Sequence, residues 1–175
     1  SVLVPSRALR ELERLLGSAE EITLRLGERE ASFEVGELRL TTRLIEGEFP
    51  NYRGLIPASH PNQLTVGRES LVEAVRRVKM MAREPNTPVR LAMSAEGLEL
   101  VAITQDVGQA HEQLDASYSG EELTVAFNPD YLLSGVEVSP GDEITLYTVD
   151  AQKPAVIRAQ GADDFLYLLM PVRVS

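Results

Sequence analysis

The chain has 175 residues, 17 of them basic and 27 acidic, for a formal net charge of -10. Its 43% hydrophobic content can build a sizeable core, and the absence of cysteine excludes disulfides, thiolate nucleophiles and cysteine-bound zinc while fitting a cytoplasmic location. No apolar run approaches the roughly 20 residues of a membrane span, Ser1-Val2-Leu3-Val4-Pro5 lacks the regions of a signal peptide, and DNA contact would need a local basic face with the excess acid placed elsewhere.

The first element reads as a short strand at Leu3-Val4 entering a helix. Ala8, Leu9, Leu12, Leu15 and Leu16 fall at the spacing of one buried helical face. Pro5 stands near the start of this helix and Gly17 just past its end. Arg7, Arg10 and Arg14 occupy i, i+3 and i+7 on the opposite face. Period-2 alternation then predicts strands at Ile22/Leu24/Leu26, Ala31/Phe33/Val35 and Leu38/Leu40. A linker follows from Gly47 to Asn62, with Pro50, Pro57 and Pro61.

The pattern restarts at Thr65-Val66-Gly67-Arg68-Glu69-Ser70-Leu71. The second helix places Leu71, Val75, Val78 and Ala82 on one face and Arg76, Lys79 and Arg83 on the other. Strands are predicted at Val89/Leu91/Met93, at Leu98/Leu100/Ala102 and near Val107 to Ala116. A third start is Ala126-Phe127-Asn128-Pro129-Asp130-Tyr131-Leu132, with Asn128 as N-cap, Pro129 at the first helical position and Gly135 expected to close the helix. Strands at Ile144/Leu146/Thr148, Ala155/Ile157/Ala159 and Phe165/Tyr167/Leu169 complete the chain.

Leu9, Leu71 and Leu132 mark the same place in three units, 62 and 61 positions apart. Each unit reads β-α-β-β-β, an α+β fold with antiparallel sheets on one side and short helices on the other. One unit has an apolar sheet face and a helix stripe to bury, and two packed units bury both. Residues 59–175 are therefore expected to form a complete domain from units 59–120 and 121–175. Residues 1–58 are expected to be an unpaired half, which implies a longer parent chain.

Three segments carry a family resemblance. The linker Leu44-Ile45-Glu46-Gly47-Glu48-Phe49-Pro50-Asn51-Tyr52-Arg53-Gly54-Leu55-Ile56-Pro57 resembles the segment joining the middle and last domains of the bacterial DNA sliding clamp, the beta subunit of DNA polymerase III. Tyr167-Leu168-Leu169-Met170-Pro171-Val172-Arg173 resembles that family's C-terminal motif, and Phe127-Asn128-Pro129-Asp130-Tyr131-Leu132 matches a third segment. The resemblance implies a DNA-clamp fold, with residues 1–58 as the second half of the middle domain and 59–175 as the last domain. It further implies a homodimeric ring and processivity factor in DNA replication, with no enzymatic activity and no cofactor.

Partners implied by the family are duplex DNA, held without sequence preference, and the polymerase, clamp-loader and repair proteins that carry a short peptide. That peptide, a glutamine followed by paired apolar residues, would enter a groove formed by Pro50, Leu55, Tyr131, Gln152, Pro154, Leu168, Met170, Pro171, Val172 and Arg173. Gly54 and Gln152 depart from the side chains common in the family at the groove's rim. The DNA-facing residues would be Arg7, Arg10, Arg14, Arg76, Lys79 and Arg83, and the dimer seam would hold Met80 and Met81. Read without the resemblance, the basic stripes are solvated helix faces, the groove residues are core and termini, and Met80 is an ordinary exposed apolar residue.

Catalytic patterns are weak by comparison. His60 and His111 are the only histidines, and His111-Glu112 is not followed by the second histidine of a metalloprotease helix. No P-loop, Gly-x-Ser-x-Gly or Gly-x-Gly-x-x-Gly pattern occurs. The acidic pairs Asp142-Glu143 and Asp163-Asp164 sit in turn-like sequence, so a carboxylate hydrolase has no convergent pair. A repeat scaffold that binds proteins without encircling DNA is the other reading left open.

Overall fold

Pro5 caps the first helix, α1 (Ser6–Leu16), and Gly17 ends it at φ +48°, a left-handed conformation that glycine adopts at least cost. The computed structural model of the chain describes residues 2–17, 19–81, 87–104 and 108–173, apart from the side chain of residue 163. Ala82, Arg83 and Val107 lie outside the described residues, as does the side chain of Asp163. The chain separates into two compact units, Ser1–Asn51 and Tyr52–Ser175.

In the first unit the alternating runs become β1 (Thr23–Leu26), β2 (Glu30–Val35) and β3 (Leu38–Arg43), an antiparallel sheet in the order β1-β2-β3. Its core is small: Leu12, Ala31, Phe33 and Val35, with Val4, Leu16, Leu40 and Leu44 packed against it. Helix α1 lies against β2 and β3. Register places Leu24 opposite Phe33 and Leu26 opposite Ala31 on the same sheet face. Leu24 and Leu26, on the edge strand β1, nevertheless remain 50% and 54% exposed. Leu9, expected on the buried stripe, is also exposed.

The second unit opens with a 3-10 turn (Tyr52–Leu55) and then holds two repeats. The first contains β4 (Asn62–Gly67), α2 (Arg68–Lys79), β5 (Val89–Ser94), β6 (Gly97–Thr104), β7 (Gly108–Leu114) and β8 (Ala116–Ser119). The second contains β9 (Leu123–Phe127), α3 (Pro129–Glu137), β10 (Glu143–Thr148), β11 (Ala155–Ala159) and β12 (Ala162–Leu169). The repeats exchange their leading strands: β4 pairs with β10 of the other repeat, and β9 pairs with β5. The single run expected near 107–116 is two strands. β7 pairs with β6, and β8 continues into the other sheet beside β4. The resulting antiparallel sheets are β12-β11-β10-β4-β8 and β7-β6-β5-β9.

Helix α2 packs on β4, β5, β6 and β7, α3 packs on β12, and the two helices pack on each other. Leu71, Val75 and Val78 of α2 and Leu132 and Val136 of α3 enter one core with Leu64, Leu91, Leu100, Phe127, Ile144 and Ile157. Each fully buried side chain of this size contributes about 1.5–3 kcal/mol. Helix α3 runs through Gly135 to Glu137, so that glycine does not close it. A Cβ there would clash with the ring of Tyr167, and the glycine allows close packing of helix on strand.

Candidate functional site

The start of α3 and the end of the chain meet within the second unit. Asn128 Oδ1 accepts the N–H groups of Asp130 at 2.8 Å and Tyr131 at 3.4 Å, satisfying two donors that the helix itself cannot. This cap places Tyr131 on the first turn with its side chain 62% exposed. The Tyr167 hydroxyl, reaching from β12, donates to the Tyr131 carbonyl at 2.9 Å. Burial pushes that hydroxyl's pKa up, and the neighbouring Tyr131 adds to the shift. Beyond β12 the Val172 N–H donates to the Ala126 carbonyl at 2.8 Å, which ties the tail to β9.

These contacts shape a concavity of about 540 Å³ lined by Asn128, Tyr131, Tyr167, Leu168, Leu169, Met170, Pro171 and Val172. Five of the expected groove residues meet in it: Tyr131, Leu168, Met170, Pro171 and Val172. Pro154 stands one register position beyond the Ala155–Leu169 pair, on the side of Met170, and is half-buried. Gln152 is exposed in the preceding turn, where Asp150 accepts its N–H at 2.8 Å and that of Lys153 at 2.9 Å; those bonds hold the Asp150 carboxyl below its usual range. Arg173 is exposed. Leu55, in the 3-10 turn, is exposed and does not line the concavity, and Pro50 belongs to the other unit. Asn128, Tyr167 and Leu169 were not expected in the lining. The alternation Phe165/Tyr167/Leu169 was legible, but nothing in it marked one ring as the support for the α3 turn.

A surface with Tyr131 62% and Met170 54% exposed beside proline and leucine walls offers an apolar ligand a rigid aromatic anchor and an adaptable thioether. Among the described residues no carboxylate, histidine, lysine or arginine lines it, and the surface suits binding through apolar burial.

The basic positions differ in their pairing. Arg7 and Arg10 on α1 are exposed, with no ion pair among the described residues, while Arg14 meets Glu11 at 3.0 Å. On α2, Arg76 pairs with Glu137 at 2.8 Å and Lys79 with Asp130, both partners on α3. Arg77 meets Glu112 at 2.7 Å and Glu73 at 3.6 Å, which lowers the Glu112 pKa. Met80 follows the last residue of α2 and is 70% exposed; Met81 is half-buried, its carbonyl accepting from the Thr104 hydroxyl at 2.5 Å. His60 stacks edge-on against Tyr147 with ring centroids 5.3 Å apart, and burial lowers its pKa. Among the described residues no group of three His, Asp or Glu is placed to hold a metal ion.

Residues 53–173 match the family profile described as DNA polymerase III beta subunit, C-terminal domain, and residues 1–51 match that of its central domain. The chain belongs to the DNA polymerase III beta subunit family. The beta sliding clamp of Synechocystis sp. is 34% identical over 99% of this chain and 46% of its own length. The corresponding protein of Streptomyces coelicolor is 36% identical over 99% of this chain and 49% of its own length. Among solved structures, the sliding clamp of Bartonella birtlesii bound to griselimycin superposes with a TM-score of 0.86 at 35% identity, covering 99% of this chain and 47% of that one. The polymerase III beta protein of Caulobacter crescentus gives a TM-score of 0.87 at 31% identity, covering 99% and 47%. The chain thus spans about half the length of the beta clamps it matches.

Proposed function

We propose that the chain works as part of a DNA sliding clamp, a non-catalytic processivity factor that encircles duplex DNA and tethers proteins through short peptides. The observation that carries this reading is the apolar concavity between the α3 N-terminus and the tail 167–172, where residues distant in sequence converge. Its occupant would be a peptide with a glutamine followed by paired apolar residues, borne by polymerase and clamp-loader subunits. Pro50, Leu55, Gln152, Pro154 and Arg173 would extend the groove around the central five residues.

In this reading residues 1–58 are the second half of a middle domain and residues 59–175 the last domain of a protomer that closes a ring as a homodimer. Arg7, Arg10 and Arg14, with Arg76, Lys79 and Arg83, would meet phosphates without reading bases, as a protein that slides must. Met80 and Met81 would lie at the seam between protomers.

The test is a fluorescence titration of such a peptide against the chain. Short linear peptides lose part of their burial energy to ordering, so the affinity expected is micromolar or weaker, roughly -8 kcal/mol at best. Tyr131→Ala should weaken binding most, because aromatic anchors dominate interfaces, and a loss of about 2 kcal/mol is the usual scale. Met170→Ala should weaken it less, and Arg7→Glu not at all. Equal affinity for wild type and a folded Tyr131→Ala variant would overturn the groove assignment.

A further inference from the structure

Helices α2 and α3 carry opposite charge across their shared contact. Helix α2 holds Arg68, Arg76, Arg77 and Lys79 against Glu69 and Glu73, whereas α3 holds Asp130 and Glu137 and no base, so the two helices together are neutral. The bases nearest α3 are already engaged. Arg76 Nη2 reaches Glu137 Oε1 at 2.8 Å, and the Lys79 ammonium meets the Asp130 carboxylate. Each pair joins two helices from different repeats. The Arg76 and Lys79 side chains stay 61% and 37% exposed, so a second anion can reach both cations from solvent. Helix α1 has three arginines, two of them outside any ion pair among the described residues, and no facing acidic helix within its unit.

We propose that Asp130 and Glu137 are resident counterions that compete with DNA phosphates for Lys79 and Arg76, so that the α2–α3 face holds duplex loosely. The inference rests on the reading of Arg76 and Lys79 as DNA-facing and goes beyond it. Proteins gain affinity for duplex by replacing the ions condensed on its phosphates with their own cations. A cation already paired with a carboxylate adds no net charge to its face, and a phosphate that displaces the carboxylate then meets it as a like charge. Exposed pairs are held weakly, so the exchange remains open and the acids tune the grip without abolishing it. A ring that must retain DNA while moving along it gains from contacts that are made and released easily.

The experiment is fluorescence anisotropy of a labelled duplex with the 175-residue chain, across salt from roughly 20 to 200 mM, a range over which phosphate contacts weaken strongly. The near-isosteric double variant Asp130→Asn with Glu137→Gln should bind about tenfold more tightly at low salt. Its log-log salt dependence should steepen by roughly 1 to 2, as expected for one or two added phosphate contacts. The variant Arg76→Gln with Lys79→Gln should bind more weakly than wild type. Glu96→Gln with Glu122→Gln, exposed acids at the β5–β6 turn and before β9, makes the same change in net charge and should have little effect. An equal gain in that control would overturn the proposal, because it would then reflect total charge. Weakening by base removal without a gain from acid removal would overturn the proposal and leave the DNA-facing reading in place. No change in either variant would overturn both.

Discussion

Tyr167 links the ligand surface to the helix beneath it: its hydroxyl holds the Tyr131 carbonyl, and its ring covers Gly135 one turn further along α3. Any Cβ at position 135 must push the ring or the helix, and both moves displace the turn that carries Tyr131. Gly135→Ala should therefore destabilise the chain by about 1–3 kcal/mol through overpacking, despite the gain of about 1 kcal/mol in helix propensity. It should also weaken peptide binding. Thermal unfolding alongside the peptide titration checks this, and an unchanged or raised midpoint with intact binding would show that the ring yields freely. The same glycine marks a limit of sequence reading. A glycine near the end of an amphipathic run has the pattern of a C-cap, and only the ring from a strand 32 positions later makes it a packing residue. Asn128-Pro129 was legible in full, because capping is local chemistry.

At the scale of elements, the exchange of β4 and β9 means that neither repeat of the second unit has a complete sheet without the other. The first unit has only one repeat, and Leu24, Leu26 and Leu38 stay about half exposed on its sheet. Hydrogen exchange should find β4, β5, β10 and β11 the most protected, opening only with global unfolding, while β1–β3 exchange through cheaper local openings. Equal protection in the two sets would contradict this account of the half-built first core. Periodicity located these strands well but not their partners. An alternation such as Val89/Leu91/Met93 says which face is buried, whereas pairing with β9 follows from the packing of whole repeats. The division of 108–119 between two sheets left no mark in the hydrophobic pattern for the same reason.

At the scale of the molecule, a chain of net charge -10 pairs Arg76 and Lys79 of α2 with acids from α3, whereas Arg7 and Arg10 of α1 have no ion pair among the described residues. The apolar concavity lies at the first turn of α3 and the tail. The groove was legible only through the resemblance, since Tyr131, Leu168, Met170 and Pro171 share no spacing that would join them. The measurement that tests the account most directly is amide chemical-shift mapping of the isotopically labelled chain, titrated separately with peptide and with duplex at low salt. The account predicts two separate patches. The peptide should perturb Asn128, Tyr131, Tyr167 and the segment 168–173, and the duplex should perturb the helical positions around Arg7, Arg10, Arg14 and Arg76. Peptide perturbations centred away from Tyr131 and Met170, or one patch shared by both ligands, would contradict it.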